Sequence, residues 1–464
     1  MRLYRLRAFA ALFGLVSWAA GCGAAEPEAF FGAWSGVLDA GAAQLPLVGH
    51  VKPGEDAPRA SFDSPDQGAF DVPADTVEID ADAIAIAWTS PPARFEATLS
   101  ADAQTLDGAW VQGGARLALR LTRSETAAAP ERPRPQTPSP PFPYTAELVT
   151  VEAPDARLAG VLTTPDGAGP FPAALLISGS GPQDRDSTIF GHKPFWVIAD
   201  HLARAGVAVL RLDDRGVGAS TGDRSAADVW DFAADARAAL DVLRAQDRID
   251  PARTGFIGHS LGSTIAGIAA GDAAPPPDFI VSLNGAGVDL NQVLRDQLRA
   301  ILEASGATQA VIAEQAREQA AFLDAVIAAP DAATAQARAR EILEARTGLS
   351  EAAIAAQMSF ASAGMRKLYR YDPLEGYRGY AGPVLAVFGE RDTQVTPGLN
   401  AGPFRVALAE SASDVARAVV VLDGLNHLLQ PAETGAVAEY AQIETTIAPE
   451  ALALITEWVL ALQG

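Results

Sequence analysis

The chain is poor in cysteine, histidine and basic residues. Cys22 is its only cysteine, so no disulfide can form within the chain and a cysteine-ligated metal site is not expected. Lysine and arginine total 35 against 57 aspartates and glutamates, which gives a formal net charge of -22. That charge opposes binding to nucleic acid or to an anionic membrane surface. Because only five histidines are present, the search for a catalytic base is short.

The N-terminus has the layout of an export signal, with arginines, a short apolar segment and then small residues. The apolar segment is too short to span a bilayer comfortably. Cys22 follows Gly21 and resembles the lipidated cysteine of a bacterial lipoprotein signal, although Ala19 stands where leucine is usual. We therefore expect residues 1–22 to be a lipoprotein-type signal peptide, with ordinary cleavage nearby as the alternative. The mature protein would be exported, either periplasmic or membrane-anchored through a lipid on Cys22.

The first part of the mature chain reads as β structure. Residues 26–125 alternate short β-like runs with turn signals and contain no convincing amphipathic helix, which predicts a small β-rich accessory domain. Trp34, Trp88 and Trp110 form either its core or a ligand platform, and the core is the more economical interpretation. Residues 126–143 are rich in proline and predict a semi-rigid linker.

The pattern changes from residue 144 and continues to residue 464. Strands that are apolar throughout, such as AALLIS and VAVLRL, alternate with helical segments, which predicts an α/β fold with a mostly parallel sheet covered by helices on both faces. Residues 288–370 interrupt this alternation with a block that is almost wholly helix-forming. We expect this block to be a cap over the carboxyl ends of the strands, where ligands bind in open α/β sheets.

The segment TGFIGHSLGSTIAGIAAG at residues 254–271 predicts a strand, a sharp turn and a helix. Ser260 stands at the tip of the turn, and Gly258 and Gly262 flank it two residues away on either side. Such an elbow holds a nucleophilic serine in a strained conformation that leaves no room for bulky neighbours. The segment GASTG around Ser220 fits the same pattern, but no helix follows it. Context therefore selects Ser260.

A serine hydroxyl needs a base, which a carboxylate in turn orients. Elimination and position select His427, in a loop directly after the apolar run AVVVL; the other four are His50 in the β-rich domain, His192 in a loop, His201 in a predicted helix and His259, which we expect to point to the other side of the elbow. Asp392, after the strand PVLAVFG, is the predicted acid, with Glu390 as its nearest rival. The resulting order of serine, acid and histidine is that of α/β-hydrolases.

Acyl transfer also needs donors for the developing oxyanion. The N–H of Leu261, directly after the nucleophile, is the first predicted donor. The second is expected from the loop SGSGPQDRD after the strand AALLIS, where Gly179 and Gly181 allow close approach and Ser180 supplies the N–H. This chemistry needs no metal or organic cofactor.

These motifs occur in the order and spacing of the α/β-hydrolase superfamily over residues 145–464. Gly179 with Ser180, DDRGVGAST, GHSLG, GERD and GLNH carry the resemblance, which is greatest to bacterial secreted hydrolases described as serine aminopeptidase-like or dienelactone hydrolase-like. Many of these act as carboxylesterases, and some carry a β-rich domain in front. Ser178 and Ser263 stand where many members have histidine and glycine, which leaves the mechanism intact but weakens a subfamily assignment.

The sequence therefore predicts a serine hydrolase that cleaves carboxylic esters with a modest acyl group through an acyl-enzyme intermediate. A serine peptidase on the same triad is the first alternative, with a short peptide as substrate. It would need acidic residues for the substrate amine, for which the helical block offers Glu303, Glu314, Glu318 and Asp324, although a solvated helix face explains these more simply. A non-catalytic protein that binds an envelope glycan is the alternative of another class.

Overall fold

The structure, a computed structural model, describes most of the chain beyond its N-terminus. The described residues are 27–39, 44–54, 57–64, 69–89, 92–112, 115–124, 133–346, 351–410 and 415–462. The predicted signal segment with Cys22 and the first part of the predicted linker lie outside them. Within these ranges, no helix combines the length and the apolar character that crossing a bilayer requires.

The first sheet is an antiparallel meander of nine strands, ordered β4-β3-β2-β1-β9-β8-β7-β6-β5. A short 3-10 turn at Pro27–Phe30 leads into it, and its strands are β1 Gly32–Asp39, β2 Gln44–Lys52, β3 Arg59–Ser64, β4 Ala69–Pro73, β5 Thr76–Asp80, β6 Ala83–Thr89, β7 Pro92–Leu99, β8 Thr105–Gln112 and β9 Ala115–Ser124. Successive side chains of a strand point to opposite faces. In β7 the buried side chains accordingly alternate, at Ala93, Phe95 and Ala97.

The three tryptophans of this sheet belong to its core. Trp34 is fully buried and donates its indole N–H to the carbonyl of Phe30 at 2.8 Å. Trp88 is 8% exposed, and its ring lies 5.1 Å from the ring of Trp110, which packs against the same cluster. Burial of this kind supports the interpretation of these rings as core and leaves no exposed aromatic platform among them.

The second sheet has eight strands in the order β10-β11-β13-β12-β14-β15-β16-β17. They are β10 Tyr144–Ala153, β11 Ala156–Pro165, β12 Phe171–Ile177, β13 Ala208–Leu212, β14 Ile249–His259, β15 Phe279–Leu283, β16 Val384–Gly389 and β17 Arg417–Leu422. The first two strands and the pairing of β11 with β13 are antiparallel, and all further pairings are parallel. Every residue of β15 and β16 is buried, because helices cover both faces of the sheet.

Twelve α-helices accompany this sheet in the described residues. They are α1 Pro194–Arg204, α2 Val229–Arg244, α3 Leu261–Asp272, α4 Leu290–Ala304, α5 Gln309–Ile327, α6 Ala332–Glu344, α7 Glu351–Met358, α8 Ala363–Leu368, α9 Glu375–Gly379, α10 Pro397–Glu410, α11 Val437–Tyr440 and α12 Pro449–Ala461. The Asp228 side chain caps α2 in a reciprocal arrangement with Asp231, which satisfies N–H groups that a helix start leaves unpaired. The strand order and the layers confirm the predicted α/β-hydrolase fold behind a β-rich region.

Helices α4 to α8 lie between β15 and β16 in the chain. They have a small apolar core of their own, which includes Phe322, Leu323, Val326, Ala339 and Leu343. Because these side chains are 8% exposed or less, the insertion is a packed cap and not an extended loop. This cap contributes much of the wall of the cavity described below.

The described end of the linker is hydrogen-bonded to loops of the domain that contains the second sheet. The Arg134 guanidinium donates to the main-chain carbonyls of Phe190, Ala441 and Ile443 at 2.7–2.8 Å. Gln136 bonds both the N–H and C=O groups of the same C-terminal segment. Three carbonyls on one guanidinium tie separate loops together, because a charged donor strengthens each hydrogen bond.

Candidate active site

Ser260 occupies the sharp turn between β14 and α3. Its backbone dihedrals are φ 55 and ψ -121, a region that non-glycine residues rarely adopt and that commonly marks functional sites. The Ser260 N–H donates to the carbonyl of Leu283 at 2.8 Å, which ties the turn to the end of β15. The turn therefore presents the Ser260 side chain at the carboxyl end of the sheet, where a nucleophile of this fold is expected.

The glycines around the turn stand where no side chain fits. A Cβ on Gly258 would overlap the carbonyl of Gly262, and a Cβ on Gly262 would overlap the carbonyl of Ile177. A Cβ on Gly179 would lie 3.2 Å from the Cβ of Ser260. The loop after β12 thus approaches the serine at backbone distance, which an oxyanion loop requires.

His427 and Asp392 form a buried pair at the ends of β17 and β16. The His427 Nδ1 lies 2.7 Å from Asp392 Oδ2, and the two residues are 4% and 3% exposed. The other carboxylate oxygen of Asp392 accepts the N–H groups of Gln394 and Val395 at 2.7 and 2.9 Å. These bonds hold the carboxylate in place beside the histidine ring. The rival Glu390 is exposed and accepts the N–H of Gly424.

The turn that carries His427 is held by its neighbour Asn426. The Asn426 Oδ1 accepts the N–H groups of Leu428 and Gln430 at 2.9 and 3.0 Å, and its Nδ2 donates to the Gln430 side chain. Asn426 is fully buried, so these bonds are shielded from competing water. The histidine therefore projects from a rigid turn, although it lies in a loop.

His259, expected on the other side of the elbow, packs against the turn that carries His427. The two rings are 4.8 Å apart, and the His259 Nε2 lies 2.8 Å from the main-chain carbonyl of His427. Since a carbonyl only accepts, the Nε2 carries the proton. Burial, with a smaller effect of His427, lowers the pKa of His259 to about 3, so this ring is neutral at pH 7. His259 is the last residue of β14, and its ring packs against the turn that carries His427.

The carboxylate of Asp214 holds the predicted oxyanion loop, residues 178–186, by hydrogen bonds. It accepts the Ser178 hydroxyl at 2.6 Å and the Gln183 N–H at 3.2 Å. Arg224 lies 3.3 Å from the same carboxylate and donates to the carbonyl of Gly181. Burial raises the pKa of Asp214 to about 6, against the lowering effect of these hydrogen bonds. Ser178 therefore anchors the loop to Asp214.

The rest of the DDRGVGAST stretch is structural. Asp213 forms a partly buried ion pair with Arg185 at 2.6 Å, and Arg215 forms a buried pair with Asp235 at 2.7 Å. The Ser220 hydroxyl donates to the carbonyl of Asp213 and accepts the N–H of Ala159. Ser220 is thus engaged in holding its loop, as a loop serine.

A polar network also supports the start of α3. The Ser263 Oγ lies 2.6 Å from Ser282 Oγ and 2.8 Å from Tyr377 Oη, and the Tyr377 hydroxyl donates to the carbonyl of Ser263. Tyr377 is fully buried, and burial raises its pKa, so it remains a donor. This network satisfies the buried Ser263 hydroxyl and carbonyl and ties the start of α3 to β15 and α9.

Ser260 and Leu261 line a cavity of about 910 Å³ together with Ser180 and Gly181. Leu261 is the first residue of α3, and the first N–H groups of a helix have no intrahelical acceptor. The remaining lining is mostly apolar and includes Val288, Leu290, Val293, Leu294, Phe360, Met365 and Leu368 from the cap and the segment before it. A concave, mostly apolar site of this size with a few polar groups is typical of small-molecule binding.

Arg224 and Asp228 are the only arginine, lysine, aspartate or glutamate side chains among the described residues that line this cavity. Asp228 already caps α2 by accepting the N–H of Trp230 at 2.9 Å. The acidic residues proposed for a peptidase lie elsewhere, and three of them pair with arginines of the cap; the four are Glu303, Glu314, Glu318 and Asp324. The cavity therefore lacks the acidic cluster that a substrate amine would need.

His192 and His50 have structural partners. His192 is fully buried, with Nδ1 2.8 Å from the Thr446 hydroxyl and Nε2 3.0 Å from the carbonyl of Tyr440. Burial lowers the pKa of His192 to about 4. His50 pairs with Asp63 at 2.8 Å in the first sheet. Sequence reasoning missed Asn284, Asn426 and Tyr377, and no local pattern marks them, because their partners come from distant segments.

Comparisons with known proteins place the chain among hydrolases. Residues 195–430, about half of the chain, match the family model described as "Serine aminopeptidase, S33". Esterase EstD of Thermotoga maritima is 29% identical over 272 residues, which are 59% of this chain and 58% of that protein. Two uncharacterised proteins of Mycobacterium tuberculosis are 36% identical over 119 residues, 25% of this chain and 38% of each of them. The chain thus spans less than two thirds of the length of these relatives.

Solved structures are similar at lower identity. An esterase of Pyrococcus furiosus, Pf2001, has a TM-score of 0.44 and 15% identity, over 69% of this chain and 92% of that one. Dienelactone hydrolase from Anabaena variabilis has a TM-score of 0.37 and 18% identity, over 69% of this chain and 99% of that one. The matched family model extends from α1 to the turn after His427. The chain therefore belongs to the serine aminopeptidase S33 family of α/β-hydrolases.

Proposed function

We propose that this hydrolase cleaves carboxylic esters with an apolar acyl or alcohol group. The observation that carries the choice of an ester is the lining of the cavity beside Ser260, which is mostly apolar and has Asp228 as its sole carboxylate in the described part of the chain. An ester is neutral and needs no counter-ion. An apolar wall gains free energy from each methylene group that it removes from water, about 0.8 kcal/mol.

In the proposed mechanism Ser260 Oγ attacks the ester carbonyl carbon while His427 Nε2 takes its proton. The His427 Nδ1–H donates to Asp392, whose 2.7 Å bond orients the ring and stabilises its charged form. The N–H groups of Leu261 and Ser180 receive the developing oxyanion. His427 returns the proton to the leaving alcohol, and a water that it deprotonates then releases the acid from Ser260.

A peptidase that releases N-terminal residues is the alternative, because the matched family model describes a serine aminopeptidase. Its substrate carries an ammonium group, which binds well only opposite a carboxylate. Asp228 is the candidate partner, but its Oδ1 already accepts the N–H of Trp230 as the cap of α2. We therefore place the ester first.

The test uses the purified protein and its Ser260→Ala variant with p-nitrophenyl esters of graded chain length beside aminoacyl anilides. We expect ester turnover that falls at least about 10³-fold in the variant, together with negligible anilide cleavage. Anilide turnover without ester cleavage would move the protein to the peptidases. Absence of both, with no labelling of Ser260 by a fluorophosphonate, would favour the non-catalytic glycan-binding alternative.

A further inference from the structure

Asn284 follows β15 directly. It lies between the turn at Ser260, the loop that carries Asp392 and the turn that carries His427, the three segments of the proposed triad. It is fully buried, and its backbone is left-handed, with φ 49. Its N–H donates to the carbonyl of Val387 in β16 at 2.8 Å. Its neighbour Leu283 accepts the N–H of Ser260. The main chain at this point is therefore tied to the nucleophile on one side and to the acid-bearing strand on the other.

The Asn284 carboxamide extends these ties to the other two segments. Its Oδ1 accepts the N–H of Gly389 at 2.8 Å, at the start of the loop that carries Asp392. Its Nδ2 donates to the main-chain carbonyl of His427 at 2.7 Å. One side chain thus bridges the acid loop and the histidine turn, and both bonds are buried, where an unmade hydrogen bond is expensive.

The same carbonyl of His427 has a second donor. His259 Nε2 reaches it at 2.8 Å, so both lone pairs of this oxygen are used. His259 directly precedes Ser260 in the chain. Two donors from different strand ends therefore hold the main chain of His427 relative to the nucleophile.

The packing around these bonds allows little adjustment. A Cβ on Gly389 would overlap the main-chain carbonyl of Leu425, in the histidine turn. Asparagine suits the central position because it tolerates left-handed φ and supplies one acceptor and one donor on a short stem. Neither aspartate nor a hydrophobic residue offers both bonds.

We propose that Asn284 is a positioning residue that holds His427 and the Asp392 loop in register with Ser260, an inference that rests on the proposed function. His259 assists by donating to the same carbonyl. Asn284 touches neither the substrate nor the reacting atoms. Its effect is on the geometry of the triad, where an error of about 1 Å lowers the rate on the order of 10²-fold.

Asn284→Gly and Asn284→Ala both remove the carboxamide, but only glycine relaxes at φ 49. We expect kcat for a p-nitrophenyl ester to fall about 10- to 100-fold in both variants, with KM within about twofold of the parent. The Tm of the alanine variant should be the lower of the two. Asn400→Ala is the matched control, because it removes another fully buried carboxamide, bonded to Gly287 N at 2.8 Å, outside the triad segments; we expect a lower Tm and kcat within about threefold.

A double-mutant cycle separates positioning from general damage. In an Asp392→Asn background, where the acid no longer orients the base, Asn284→Gly should reduce the single-turnover acylation rate less than about threefold further. Full additivity of the two losses would overturn the proposal, as would kcat of Asn284→Gly within about twofold of the parent. Should the Asn284 variants fail to fold, His259→Phe keeps a ring beside His427 and removes only the donor, and an unchanged kcat there would contradict the proposal. Inactivity of the parent protein would instead refute the proposed function.

Discussion

At the scale of single residues, Asp392 and Glu390 show how environment separates two carboxylates that are two positions apart. Asp392 is 3% exposed and lies 2.7 Å from His427 Nδ1. Glu390 is exposed and bonds only the N–H of Gly424 among its described contacts. A carboxylate orients a base when it is held and desolvated, so these surroundings favour Asp392 for that task.

We therefore predict that Asp392→Asn lowers kcat for a p-nitrophenyl ester about 10⁴-fold, because a carboxamide stabilises the wrong tautomer of His427. Glu390→Gln is the matched control and should leave kcat within about twofold. The measurement is steady-state kinetics of both variants beside their thermal melting. Comparable losses in the two variants, or a larger loss in Glu390→Gln, would contradict the assignment.

At the scale of elements, the cap decides the shape of the cavity. Gln297 on α4 faces the cavity from the cap, together with Val293 and Leu294 of the same helix. Helical spacing of three and four residues places such side chains on one face. Cap residues line the cavity together with Ser260. We therefore expect the cap to determine which chain lengths of substrate are accepted, and the sheet to carry the catalytic residues.

Filling this wall should shorten the accepted substrate. We predict that Gln297→Trp lowers kcat/KM for a p-nitrophenyl decanoate about tenfold or more and leaves the acetate within about twofold, since each buried methylene contributes about 0.8 kcal/mol. Gln309→Trp, on an exposed position of α5 away from the cavity, is the control and should leave both substrates unchanged. Equal losses for acetate and decanoate would show that the cap does not set length.

At the scale of the whole molecule, the described end of the linker is hydrogen-bonded to loops of the α/β-hydrolase domain. Arg134 bonds three carbonyls, two of them more than 300 residues away in sequence. Gln136 bonds the neighbouring main chain at Thr446, whose hydroxyl contacts His192. The linker thus holds segments together that lie far apart along the chain. Ordering such segments costs conformational entropy, which these hydrogen bonds help to offset.

Arg134→Ala should accordingly lower the Tm by on the order of 5 °C, because it leaves three part-buried carbonyls without their charged donor. Arg157→Ala is the matched control: its guanidinium is 65% exposed and pairs with Glu152, and exposed pairs contribute little. Differential scanning calorimetry of the full chain compares the two. A Tm for Arg134→Ala within about 1 °C of the parent would show that the linker does not brace the fold.

The fold class and the nucleophile elbow could be predicted from the sequence alone, since both depend on patterns of neighbouring residues. An apolar strand followed by GHSLG and a small-residue helix specifies the turn through sterics, and the structure has Ser260 at φ 55 within it. The alternation of apolar strands with helices likewise encodes a parallel sheet. The positions of Asp392 and His427 followed from the order of strand ends, and the structure brings the two side chains together.

Tertiary structure decided what depends on partners distant in sequence. The partner of His259 was not predicted, because that partner, the carbonyl of His427, is 168 residues away. Asn284 reads as an ordinary residue after a strand until Gly389 and His427 surround it. The apolar lining of the cavity likewise exists only once the cap is folded over the sheet. Periodicity and turn chemistry act over a few residues, whereas such contacts are created by the packing of whole elements.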